Sequence, residues 1–374
     1  MSVIAIDGVP RHYEWGSHTA IQSLLGVPPD GNPIAELWFG DHPLAPSPVA
    51  GTASTLRDRI IADPEAMLGH DVVHRFGARL PFLVKILAAG KPLSIQVHPN
   101  LDQAKSGFEA EEKAGIGLTA SNRNYRDRNH KPELLCALTP FDAMCGFRRR
   151  SEILALLSQL DLPELAFLHA ALSEPDPLRR AFTAVLTEPD PGPAVAALSR
   201  RVAEVTSGPL LATRLAADQH SGDIGVLLTL LLNYLHLKPG ESIYLDAGIV
   251  HAYLQGTAVE VMANSDNVLR CGLTPKHVDV EELLRITDFT ELPDPRWHEN
   301  AGRFEVPVSD FGLTRLSVRA PTTVRDVGPQ IILCTSGHVR VDELDVSPGH
   351  AVFVPAGMAS TVDGDGLAFV AGVG

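Results

Sequence analysis

The chain has 374 residues, 45% hydrophobic and 20% charged, with 31 Lys and Arg against 45 Asp and Glu for a net charge of −14. That length exceeds what one hydrophobic core fills, so two or three lobes are expected. The acidic balance excludes a general binder of nucleic acid or of anionic membranes, and any phosphorylated substrate must meet a local basic pocket. Cys136, Cys145, Cys271 and Cys334 form no C-x-x-C pair, which predicts reduced thiols rather than disulfides or a thiolate zinc site. The opening residues lack the pattern of a signal peptide and the apolar run Val226–Leu232 is too short to span a bilayer, so a cytoplasmic protein is expected.

From Met1 to about Phe147, short apolar runs broken by Pro and Gly (SVIAI, AELWFG, FLVKIL, LSIQVHP) predict a β-rich region. Within it, LSIQVHPN (Leu93–Asn100) sets Gln96 and His98 two apart on a predicted strand, and hence on one face. Upstream of the next motif, Arg123 and Arg126 are expected on a solvated loop. In NHKPELL (Asn129–Leu135), Pro132 holds Lys131 extended and Glu133 opens an apolar run, where a carboxylate can face a barrel interior.

From Arg149 to about Leu232, Leu/Ala-rich stretches at helical spacing, such as SEILALLSQL and PAVAALSRRVAEV, predict an all-helical insert. Strands return after Asn233, with a faint internal repeat. LKPGESIYLDAGIVHAY (Leu237–Tyr253) and VSPGHAVFVPAGMASTV (Val346–Val362) share a Pro-Gly turn, a strand, an Ala-Gly turn and a second strand, with His251 in one copy where Ser360 stands in the other. A β-hairpin repeat of this kind suits small antiparallel barrels and resembles the second motif of cupins.

The expected fold is therefore mainly β with an α insert: two cupin-like antiparallel β-barrels plus an all-helical domain. Residues 1–148 would begin the catalytic barrel, 149–232 form the helical insert, 233–300 complete the catalytic barrel, and 301–374 form a degenerate C-terminal barrel that has lost its metal-binding histidine. Gln96, His98, Glu133 and His251 together offer two imidazoles, a carboxylate and an amide carbonyl. This set suits one Zn²⁺ per chain and leaves room for a substrate oxygen.

The chain resembles the type I phosphomannose isomerases, members of the cupin superfamily. The resemblance is carried by YEWGS (Tyr13–Ser17), AELWFGDHP (Ala35–Pro43), PFLVKIL (Pro81–Leu87), KPLSIQVHP (Lys91–Pro99), NHKPEL (Asn129–Leu134), the YLDAGIVHAY segment and VEVMANSDNVLRCGLTPKHVD (Val259–Asp279). It implies a zinc-dependent aldose–ketose isomerase that interconverts D-mannose 6-phosphate and D-fructose 6-phosphate. It also implies that Gln96, His98, Glu133 and His251 are the zinc ligands and that Arg270 is the catalytic arginine. Cys271 stands where a small residue such as Ala is expected, and Arg149–Ser221 carries no matching motif.

Moving a proton between C1 and C2 of the sugar through an enediol builds negative charge on O1 and O2, which zinc and Arg270 would offset. Candidates for the proton transfer are His130, Lys131, Glu260, Asp266 and Lys276, and the sequence does not choose among them. No Gly-rich phosphate loop is present, so point cations must hold the phosphate. Arg270 and Lys276 are placed to bracket it, with Ser94 and Tyr253 as further substrate-binding candidates. Two alternatives remain: a metal-dependent cupin oxygenase, and a non-catalytic sugar-binding cupin. The expected partner is a small sugar phosphate, with no nucleic acid and no membrane; the oligomeric state stays open, a monomer being plausible.

Overall fold

The computed structural model describes residues 2–374, a mixed α/β protein built on two extensive antiparallel sheets. A sheet of 8 strands is made mostly by the C-terminal residues, and one of 11 strands by the rest of the chain. The N-terminal strand Ile4–Ile6 crosses over to pair with Ala351–Val354, so the first residues join the C-terminal sheet. Neither hydrogen-bonded path closes on itself.

The internal repeat is present, but its two strands are not hairpin partners. Glu133–Ala137 runs between Ser242–Leu245 and His251–Ala263, as Gln330–Val341 runs between Ala351–Val354 and Ala359–Gly372. The Ala-Gly turn therefore carries the chain across a neighbouring strand. Both edges of that neighbour are paired as a result, which removes an exposed edge that a simple hairpin would leave.

Period-two alternation sorts the apolar residues of the larger sheet into two cores. Leu37, Phe39, Val84, Ile86, Leu134, Val259 and Val261 meet Ile331, Leu333, Phe353, Phe369 and Ala371 of the C-terminal sheet. Their alternates Leu87, Leu135, Ala137, Leu245 and Ala258 pack in the interior on the opposite face, joined by Tyr253 across a bulge that shifts the period of its strand.

Between Arg150 and Leu228 every element is helical. Arg150–Leu160 buries Ile153, Leu156, Leu157 and Leu160, the i, i+3, i+4, i+7 stripe of an amphipathic helix. These helices do not enclose a core of their own. They share one with Ile95, Val97, Met144, Val250, Ala252, Leu269 and Cys271 of the sheet. The β-rich expectation for the first 147 residues misses several helices, among them Leu56–Ala62, His70–Phe76 and Leu101–Lys113.

The Phe353 side chain, fully buried between the two sheets, gives a direct measure of their packing. Phe353→Ala is expected to cost about 3–5 kcal/mol, read as a lower urea midpoint at unchanged m-value, because the cavity left between two sheets cannot collapse.

Candidate metal centre and substrate cavity

The strand Ile95–Val97 lies between His251–Ala263 and Leu269–Gly272, with Gln96 in register with His251 on one side and Arg270 on the other. Residues opposite one another in a ladder point to the same face. Their neighbours Ile95, Val97, Val250, Ala252, Leu269 and Cys271 are all consumed by the helical core. Alternation then turns His251, Gln96 and Arg270 the other way, as one row. Small, buried Cys271 sits in that core, so its departure from the expected Ala leaves the site face untouched.

His98 returns to the face of Gln96, and Glu133 opens the strand Glu133–Ala137 alongside. The nearest ligand atoms of His98, Glu133 and His251 lie within 4.8 Å of one another, a cluster able to hold one metal ion. His98 Nε2 is 3.4 Å from Glu133 Oε1, and His251 Nε2 is 3.6 Å from Oε2. Both nitrogens are buried without a hydrogen-bond partner. Each ring has its Nδ1 2.9 Å from a backbone carbonyl, of Asn267 and of Ile249 respectively. A carbonyl only accepts, so each Nδ1 carries the proton and each neutral ring aims its Nε2 lone pair at the carboxylate. Lone pairs converging on an anion call for a cation between them, and the residues fit a zinc ion on that ground.

The protonation states agree. Burial, followed by the nearby Lys131 ammonium, pushes the His98 pKa down to about 3. Burial likewise lowers that of His251. Burial raises the Glu133 carboxyl, but Lys131, whose Nζ lies 2.7 Å from Oε1, together with His98 and His251 outweighs it and holds the group well below the carboxylate range.

An open cavity of about 700 Å³ lies above this cluster. Its wall includes Ser94, Gln96, Lys131, Glu133, Tyr253, Glu260, Asp266, Arg270 and Lys276, so most of the residues singled out in the sequence converge there. His98 and His251 lie beneath it, 1% and 0% exposed. His130 does not reach the cavity. Its Nε2 is 3.1 Å from Asp310 Oδ2 in the C-terminal part of the chain, because neighbours in extended backbone point oppositely and Lys131 takes the inward direction.

A buried polar chain continues from the cluster. The Tyr253 hydroxyl donates to Glu260 at 2.8 Å and lies 3.4 Å from Glu133; Glu260 pairs with Lys85 at 2.9 Å, and Lys85 lies 3.4 Å from Glu36, which accepts the Trp38 indole N–H at 2.9 Å. Burial opposes the Lys85 charge, but Glu260, Glu36 and Glu133 together raise its pKa, keeping the ammonium charged. The sequence reading passed over Lys85, Glu36 and Trp38. The signal was there: Lys85 is the single charge in FLVKILAA, a strand buried at every position, and a fully buried lysine is rare unless paired.

At the other end stand Arg126, Arg270 and Lys276, all on the cavity wall. None forms a carboxylate ion pair among the described residues. Repulsion from Arg270, then desolvation and Arg126, lowers the Lys276 pKa; desolvation, then Arg126, lowers that of Arg270. Three cations on one wall without a carboxylate partner suit an anion. Arg126 is exposed on a loop, as expected, and that loop also borders the cavity. Arg123, 5% exposed, is tied to Glu111 and Glu112 at 2.9 and 2.8 Å.

A two-histidine, one-carboxylate metal cluster under a cavity with a cationic wall defines a mononuclear metal protein built to take a small anion. Comparison with known proteins narrows the class. Residues 3–150 match the catalytic domain of type I phosphomannose isomerase. The chain is 41% identical to the mannose-6-phosphate isomerase of Escherichia coli (strain K12), covering 95% of this chain and 96% of that one. It is 34% identical to that of Bos taurus, covering 86% and 83%. It superposes with a TM-score of 0.93, at 36% identity and over 100% of both chains, on a crystal structure of mannose 6-phosphate isomerase from Salmonella typhimurium bound to fructose 6-phosphate and zinc. The chain belongs to the type I phosphomannose isomerase family.

The depressed His98 pKa contributes to the acid sensitivity of the metal-free protein, alongside the lowered pKa values of His251 and Glu133. The folded value of about 3 lies below the ordinary 6.5, so as pH falls the unfolded chain takes up the proton first. The stability this group contributes is present above about pH 6.5 and is lost progressively down to about pH 3. In urea titrations of the metal-free protein across that window, His98→Gln should flatten the fall in stability; an unchanged slope would assign the acid sensitivity to other groups.

Proposed function

We infer that this protein is a zinc-dependent aldose–ketose isomerase that interconverts D-mannose 6-phosphate and D-fructose 6-phosphate. One observation carries the reading: His251 of the metal cluster and Arg270 of the cationic wall stand at the two ends of one row across three strands, with Gln96 between them. With strands about 4.8 Å apart, the backbone positions of His251 and Arg270 are separated by roughly 10 Å, a span suited to the carbonyl end and the phosphate end of a hexose 6-phosphate. The oxygenase and the sugar-binding alternatives account for the metal cluster or the cavity, but not for both poles together.

In this reading His98, Glu133, His251 and the Gln96 amide oxygen hold zinc, which when bound supplies Lewis-acid polarisation of the sugar O1 and O2. Arg270 and Lys276, joined by Arg126, hold the phosphate, with Ser94 and Tyr253 as further polar contacts. The proton passes between C1 and C2 through the groups at the wall, Lys131, Glu260 and Asp266. Tyr253 couples Glu260 to Glu133, so the base and the metal ligand share one hydrogen-bonded chain. His130, paired with Asp310, serves the contact between the sheets rather than the proton transfer.

We further propose that each sheet is a cupin-type barrel. The shared strand-crossing pattern of the repeat supports this, as does the valine-rich interior of the C-terminal sheet, where Val339, Val341, Val352, Val354 and Val362 occupy the space a ligand would need. The boundaries 1–148, 149–232, 233–300 and 301–374 divide the chain into catalytic barrel, helical insert, remainder of that barrel and degenerate barrel. The second barrel offers only the buried Ser360 at the position of His251. A reducing, cytoplasmic setting agrees with four free cysteines, all buried, and no helix among the described residues is long and apolar enough to cross a membrane.

Purified protein is expected to carry about one zinc per chain by metal analysis, as one complete donor set implies. His251→Ala and Glu133→Ala should each lose zinc and isomerase activity together, since removing a ligand damages affinity and geometry alike. Full zinc occupancy in both variants would refute the ligand set. Arg270→Lys separates the roles of that arginine by kinetics. A loss of the phosphate fork raises KM with kcat nearly unchanged, whereas a role at the developing enediolate lowers kcat by roughly 10²-fold with zinc still bound. The position of Arg270 among the anion-site cations favours the first outcome.

A further inference from the structure

The helical insert reaches the cavity at one place, the segment between the helices Leu211–Gln219 and Gly225–Leu228. There the Asp223 carboxylate is spent wholly on backbone amides. Its Oδ1 accepts from Gly225 N–H at 2.7 Å and Leu273 N–H at 2.8 Å, and its Oδ2 from Thr274 N–H at 2.9 Å. Leu273 and Thr274 lie in the loop that joins Arg270 to Lys276. Leu273 is 1% exposed with φ at 54°, a left-handed conformation that a leucine rarely adopts.

The contact is close enough to require glycine on both sides. A Cβ on Gly272 would lie 2.6 Å from Gly225 Cα, and a Cβ on Gly225 only 2.5 Å from Leu273 N. Across the cavity mouth, His220 Nε2 is 3.1 Å from the carbonyl of Pro92, two residues before Ser94. One short segment of the insert thus touches the loops on both sides of the cavity.

We propose that Asp223 is a positioning residue for the substrate phosphate: it pins the Leu273–Thr274 backbone in its left-handed turn so that Arg270 and Lys276 face one anion from the same wall. The inference rests on the reading of those cations as the phosphate site. Arg126, Arg270 and Lys276 repel one another in the absence of an anion, and the Leu273 turn is unfavourable on its own. Both forces push the loop away from the conformation that gathers the charges. Asp223 opposes them without neutralising any cation, since its oxygens are occupied by backbone donors. The helical insert, which carries no motif of the reaction, acquires a function in this way.

The test compares zinc-loaded wild type, Asp223→Ala, Asp223→Asn and the double variant Asp223→Ala/Leu273→Gly. For isomerisation of mannose 6-phosphate, Asp223→Ala should raise KM by roughly tenfold with kcat within about twofold of wild type and zinc content unchanged. Asp223→Asn, which keeps one acceptor oxygen, should fall between. Leu273→Gly relieves the left-handed penalty and should restore much of the lost affinity in the Asp223→Ala background, a rescue that a merely structural role would not produce. Calorimetric binding of inorganic phosphate to the same proteins reads the effect without turnover. A wild type that binds phosphate yet fails to isomerise the sugar would overturn the functional reading alone, with the phosphate affinities still deciding the role of Asp223. Unchanged phosphate affinity and KM in both single variants, or loss of zinc and kcat in step with KM, would overturn the positioning role. Should Asp223→Ala not fold, Asp223→Asn against wild type carries the same comparison.

Discussion

Everything at the centre of this molecule depends on keeping the Glu133 carboxylate ionised while 2% exposed. An isolated buried carboxylate would neutralise itself by taking up a proton. Here Lys131 touches it directly and the Tyr253 hydroxyl lies within reach of it, while the lone pairs of two neutral imidazoles converge on it and favour a cation between them. The same chain contains Glu260 and Glu36 with Lys85 between them. Three carboxylates thus face two ammonium groups, and a divalent cation between His98, Glu133 and His251 reverses the excess of negative charge. Metal binding and the electrostatics of the interior are one problem, because Glu133 lies in the same run of polar contacts as Lys131, Tyr253, Glu260 and Lys85.

Strand alternation solves the placement. The strands that carry Gln96, His251 and Arg270 must turn polar groups to the cavity, so their alternates need apolar cover on the other face. The helical insert is that cover, and it shares its core with the backs of the site strands. An insert that packed only on itself would leave Ile95, Val97, Leu269 and Cys271 exposed to water. The other face of the larger sheet, at Val84, Ile86, Val259 and Val261, is closed by the C-terminal sheet. Both accessory parts of the chain therefore act as walls behind the reacting face, though neither offers a metal ligand or a cavity cation.

The site was more legible in the sequence than the fold around it. Gln96, His98, Glu133 and His251 stood out because polar residues in strand-forming, apolar contexts need a partner, and Arg270 and Lys276 because they close a specific motif. Arg126 was hidden in a run of basic residues whose side-chain directions depend on a loop path that local sequence does not encode. The hairpin reading of the repeat failed for a topological reason: a turn signal fixes the local reversal, whereas the strand that pairs alongside comes from far away in the chain. Helix Leu101–Lys113 escaped because it buries Ala104, Gly107 and Glu111 rather than an apolar stripe. Gly107 is there to accept the Tyr125 ring, whose nearest atom would lie 2.2 Å from a Cβ at that position. Its capping box, Asn100 with Gln103, was the readable signal.

The overall charge of −14 sharpens the last step. An acidic surface repels a sugar phosphate at long range, so selectivity falls to a short-range trap in which Arg126, Arg270 and Lys276 gather without carboxylate partners. Such a trap costs the free protein repulsion that a bound phosphate relieves, and the repulsion is tolerated only because the backbone beneath it is held in place. The cations also fix direction. On the proposed reading, a phosphate held at Arg270 would carry the carbonyl carbons of a hexose 6-phosphate toward His251, Glu133 and His98. A sugar lacking the phosphate would enter the cavity without that orientation. On that reading, the distance between His251 and Arg270, set by three hydrogen-bonded strands, would act as a ruler for the substrate.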